Sequence, residues 1–177
     1  MEASQLLKRA MAIYDDPANG LAQTAPQAAR QGFLSGAQWM NQAMGVVRGR
    51  SALMRSANYQ GLGFFKYGLA TAAALTATFL AYQVGRWDFV GLIPLAFYTI
   101  EAQFVFLFPL VLDGTPTPVK DSLAMTRRAG GTIQVLATIV PISWVMLFGG
   151  FAGQGFLRCW CVGCLAVVLW YEDVLDS

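Results

Sequence analysis

Hydrophobic and polar positions divide this chain sharply. From residue 61 onward four long apolar runs follow one another, at about 64–84, 89–112, 132–151 and 156–174, with short polar breaks between them. A bilayer core about 30 Å thick is crossed by roughly 20 mostly apolar helical residues, and each run meets that requirement. The pattern predicts an all-α membrane protein with four transmembrane helices. The second run is the richest: between Phe89 and Leu112 it holds fifteen Phe, Leu, Ile or Val residues and one ionisable side chain, Glu101. Each of those apolar residues favours insertion by about 0.3 to 0.6 kcal/mol, whereas a central charge costs roughly 3 kcal/mol. The run therefore inserts, and Glu101 is the acid it has to tolerate.

Residues 1–60 form a second unit, polar and rich in Ala and Gln, ahead of the membrane domain at 61–177. Ser4 to Tyr14 reads as a short helix stopped by Asp15-Asp16-Pro17 and Asn19-Gly20. A further helix is expected to start at Pro26, a residue suited to a first helical position. Along it Phe33, Ala37, Met40, Met44 and Val47 recur at spacings of four and three, one apolar stripe of an amphipathic helix. Such a helix lies on the membrane or on the bundle. Phe33, Met40, Met44 and Val47 would alternatively dock a partner subunit, with Gly32/Gly36 and Gly45/Gly49 permitting close approach. Lys8 and Arg9 are followed by MAIYDDPANG rather than an apolar core, so no secretory signal is expected here.

The breaks fix the threading. Gly85-Arg86-Trp87-Asp88 reads as a tight turn. After Asp113 a short amphipathic helix is expected, with Thr117 as N-cap, Pro118 first, Arg127 and Arg128 in its last turn and Gly130-Gly131 as its stop. Pro141 interrupts the third run and frees the carbonyl of Ala137, which predicts a kink. The N-terminal segment and the 113–131 connector hold nine of the twelve Lys and Arg residues, all but Lys66, Arg86 and Arg158. By the positive-inside rule both are cytoplasmic, and so are both termini. Lys66 and Tyr67 then snorkel or anchor at the inner end of the first span. The expected location is a bacterial inner membrane.

Composition removes several chemistries. Charged residues make up 12% of the chain, about half the usual share, which suits a membrane protein. The absence of histidine excludes Ser-His-Asp and Cys-His catalysis and imidazole-held metals within this chain. A net charge of +2 is too small to argue for nucleic acid, and no metal-ligand or phosphate-loop motif is present. No cofactor is identified. The expected partners are the lipid bilayer and other membrane subunits.

Three constellations remain. An ionisable residue inside a span marks a functional site by default. Glu101 shares a helix face with Tyr98 and, across to the third run, can meet Gln134 and Thr138, near Pro141 and Ser143. These uncharged neighbours favour a protonated acid acting as polar glue, and an ionised one serving a transporter or channel is the alternative. Arg158 is excluded as its partner by depth, because Asp88, about 20 Å from Glu101 along a helix, lies level with it. An outer-face pair of Arg158 with Asp88 is expected instead. Finally, Cys161-x-x-Cys164 places two thiols on one helix face, with Cys159 turned away. In helix number and this one motif the chain resembles the membrane thiol oxidoreductases of the disulfide-bond-formation-B and vitamin-K-epoxide-reductase type, which would make Cys161 and Cys164 a redox pair working with a quinone. The chain departs from that pattern by lacking the second, loop-borne cysteine pair. Small apolar cysteines packed in a helix are the ordinary alternative. Ser122 and Thr126 read as cap and turn residues that are also open to modification. With no complete catalytic set, the sequence points to a non-catalytic accessory or scaffold subunit of a membrane complex.

Overall fold

The computed structural model describes residues 2–30, 32–50, 54–85 and 91–177. Among them the regular structure is helical throughout: α1 (Ala3–Asp15), α2 (Leu21–Ala28), α3 (Phe33–Val47), α4 (Tyr59–Gln83), α5 (Leu92–Gln103), α6 (Leu107–Asp113), α7 (Pro118–Arg128), α8 (Gly131–Phe148) and α9 (Phe156–Leu175), with short 3-10 turns at Pro17–Asn19 and Gly149–Ala152. The expected Arg86–Asp88 turn and the start of the second run lie outside the described residues.

In α1 the side chains of Leu6, Leu7, Ala10 and Tyr14 form one buried stripe, the i, i+4, i+8 face of a helix packed on one side. Where one helix from Pro26 was expected, two form: α2 starts at Leu21 and carries Pro26 inside it, and α3 starts at Phe33 with the expected stripe. Gly20 adopts φ 66° ahead of α2, a turn open to glycine. It releases Leu21 into the core, where Trp39 Nε1 donates to the Leu21 carbonyl at 3.2 Å. Pro26 then costs one helical hydrogen bond rather than opening the helix.

The second apolar run is not one continuous helix. It breaks between α5 and α6 at Phe104–Phe106, just ahead of Pro109, which cannot donate to the Val105 carbonyl and crowds it. The break strips carbonyls at the end of α5 of their helical donors. Two hydroxyls of α7 supply replacements: Thr126 donates to the Ala102 carbonyl at 3.0 Å and Ser122 to that of Gln103 at 2.8 Å. Both residues are fully buried, so their role is to satisfy backbone rather than to await modification. Thr126→Val keeps the shape and removes the donor. It is expected to lower stability by about 1.5 kcal/mol, the usual penalty for an orphaned buried acceptor, measurable as a lower unfolding midpoint in detergent.

Helices α4 and α5 pack together, and the α8–α9 hairpin closes against α5 and the N-terminal helices. The Met146 side chain of α8 occupies the place a Cβ at Gly163 would take, which brings α8 and α9 close. α9 is the core helix. Thirteen of its residues are buried, under α1, α2, α3 and α8. α1 runs antiparallel beside it: Arg9 pairs with Asp173 at one end and Asp15 with Arg158 at the other.

Among the described residues three helical segments are long and apolar enough to cross a membrane: Tyr59–Gln83, Leu92–Asp113 and Gly131–Ala152. α9, expected as a fourth span, is not one of them. It carries Arg158, Glu172 and Asp173, and protein rather than lipid covers its sides. The outward faces of α4 and α8 are apolar, with Phe64, Leu75, Phe79, Ile133, Trp144 and Leu147 exposed.

The C-terminal ends of α3, α6 and α9 are tied by one polar cluster. Arg48 donates through Nη2 to Asp113 at 2.8 Å and through Nε to Glu172 at 2.9 Å, and the Tyr171 hydroxyl donates to Asp113 at 2.6 Å. Hydrogen bonding to Asp113 pushes the Arg48 guanidinium above its ordinary pKa in spite of its burial. The arginine fork, which spans two carboxylates at once, brings three segments remote in sequence to one end of the bundle.

Candidate functional site

A cavity of about 890 Å³ opens between α3, α4, α5, α8 and α9, a size usual for small-molecule sites. α3 forms one wall. The Phe33 ring lies where a Cβ of Gly63 would stand and stacks on Tyr67 and Phe108 with centroids 5.5 and 6.2 Å away. Gly36 leaves room for the Trp160 ring, whose nearest atom would sit 3.2 Å from an added Cβ. Methionines 40 and 146 and Leu147 continue an apolar lining.

The chemistry of the cavity is concentrated in one pair. Lys66 Nζ of α4 lies 2.7 Å from Glu101 Oε1 of α5, and the two residues are 4% and 8% exposed. The ammonium also stands 5.2 Å from the Tyr67 ring centre, within range of a cation–π contact. The second carboxylate oxygen, Glu101 Oε2, is buried with no hydrogen-bond partner.

Glu101 therefore has a charged neighbour, where uncharged ones were expected, and Lys66 does not snorkel. The reason is register. Two equal spans joined by a tight turn would set Lys66 opposite residues near Leu107. Here Lys66 of α4 falls opposite Glu101 of α5 instead. One signal pointed this way: a lone cation and a lone anion in adjacent apolar runs each need a partner.

Tyr98 lines the same cavity as Glu101, as do Ile139 and Ser143 of α8. Gln134 is exposed and Thr138 donates to its carbonyl at 3.0 Å. Among the described residues no hydrogen bond joins either to Glu101. The side-chain hydrogen bond between α5 and α8 is instead Gln103 Nε2 donating to Thr132 Oγ1 at 2.8 Å. Arg158 is paired with Asp15, its Nε 3.1 Å from Oδ1, and Asp88 lies outside the described residues. The distance in sequence between Asp15 and Arg158 hid that pairing.

Phe33 and Met40 face the cavity, Met44 is buried in the core and Val47 packs against it. The stripe expected on a docking helix is thus covered by the chain's own α4, α6 and α9. The three cysteines are free and buried, Cys164 at the cavity wall and Cys161 in the core. No group of three or more metal-ligating side chains occurs among the described residues.

Comparison of the sequence with protein-family models and with curated proteins, and of the fold with solved structures, finds no match. An all-helical fold with three segments long and apolar enough to cross a membrane is consistent with an integral membrane protein.

Proposed function

We propose that this protein is a non-catalytic accessory subunit of a larger membrane assembly. One observation carries the reading: the outward face of α1. That helix stands beside α9 and touches α8, one of the apolar segments. Yet it turns Ser4, Gln5 and Lys8 outward. Lipid does not accept such a face next to a membrane-crossing helix; a polar partner surface does, as water does. The exposed half of α4 adds to this. Thr71, Ala72 and Thr76 are exposed there, and small residues of this kind favour helix–helix contact in bilayers.

The expected result is stoichiometric co-purification with partners in mild detergent, with a photocrosslinker placed at Gln5 capturing the same partner. Recovery of a lone monomer whose Gln5 crosslinker labels only lipid overturns the reading. Bacterial inner-membrane location and cytoplasmic termini are part of the proposal and are tested by protease access in oriented vesicles.

A further inference from the structure

The Lys66–Glu101 pair lies in a cavity that an accessory role does not require, and its unmet hydrogen bonding specifies a ligand. Glu101 Oε2 has no donor, and rotation about the last side-chain bond, a broad torsion, turns either oxygen toward the cavity. Lys66 has three N–H donors, one of them directed to Glu101. The pair sums to zero charge. An anionic head would meet Glu101 and a cationic one Lys66, each repelled at low dielectric. A hydroxyl satisfies both at once, donating to the carboxylate and accepting from the ammonium. The rest of the lining is apolar and aromatic. The rim at Leu147, Phe156 and Trp160 is exposed, and Leu147 belongs to a membrane-length helix, so the cavity opens onto the surface that lipid touches.

We propose that this cavity binds a neutral, hydroxyl-headed lipid from the surrounding bilayer, its head on Lys66 and Glu101 and its chain along Met40, Met146, Leu147 and Trp160. The site depends on the membrane setting and not on the partner proposed above, so a monomeric protein leaves it intact.

The test uses the full chain in phosphatidylcholine nanodiscs and a monoacylglycerol carrying a diazirine in its acyl chain. The fatty acid and fatty amine of the same chain serve as comparisons. The expected result is at least about tenfold stronger labelling by the monoacylglycerol, with adducts on Met40, Met146 or neighbouring cavity residues. Ser143→Trp, which fills the cavity from α8, is expected to lower labelling about tenfold, and Ala29→Trp does the same from the opposite wall. In the uncharged double variant Lys66→Met with Glu101→Gln, chain labelling persists while the three heads become equivalent within about twofold. Equal labelling by all three heads in the native protein overturns the proposal. So does preference for a charged head, labelling unchanged by both tryptophans, or adducts confined to the outer faces of α4 and α8.

Discussion

Lys66→Met alone is expected to destabilise the protein by about 3 kcal/mol, the low end of the cost of leaving one member of a buried ion pair unpaired. Glu101→Gln alone strands the ammonium and is expected to cost about as much. The double variant is expected within about 1 kcal/mol of the native protein, since an uncharged, space-filling pair replaces the ion pair with little loss. The full cycle, read from reversible unfolding in mixed micelles, therefore shows strong coupling between the two positions. Additive losses would mean that each side chain acts through separate contacts and that the 2.7 Å pair contributes nothing of its own.

Arg48→Leu is expected to cost about 2 kcal/mol and to loosen one end of the bundle. It leaves Asp113 and Glu172 facing each other without their cation. The figure is below that for a fully buried pair because both carboxylates keep side-chain exposures of 25% and 22%. Arg48→Lys recovers only part of the loss, as a single ammonium cannot reproduce the bidentate fork. Hydrogen exchange locates the effect. The C-terminal turns of α3, α6 and α9 lose protection together, whereas the α4–α5 contact around Lys66 does not. Loss confined to α3 would show that the cluster does not join the three helices.

What the sequence conveyed followed from local chemistry. The four apolar runs, the α1 stripe from Leu6 to Tyr14, and α7 with Pro118 in first position and Gly130 at φ 98° all rest on residues near one another in the chain. The break at Phe104–Phe106 was less visible, because fifteen apolar residues masked the one proline that causes it. What pattern could not convey was which elements meet. The burial of α9 depends on α1–α3 folding back over it, and an apolar helix covered by protein has the same composition as one covered by lipid. The site was half legible for the same reason. Glu101 announces itself by its cost, but Lys66 looks like an ordinary end-of-helix cation until the register of α4 against α5 is known.

The placement of α9 at the centre also orders events in time. During synthesis α1, α2 and α3 leave the ribosome long before the helix they cover. Until α9 follows, Leu6, Ala10, Tyr14 and Met44 have no core to enter, and Arg9 and Asp15 wait for partners 164 and 143 residues away. Contacts so far apart form late and slowly, and apolar surface left open meanwhile invites aggregation or capture by chaperones. Helices α1 to α3 are therefore made before α9 and settle only after it.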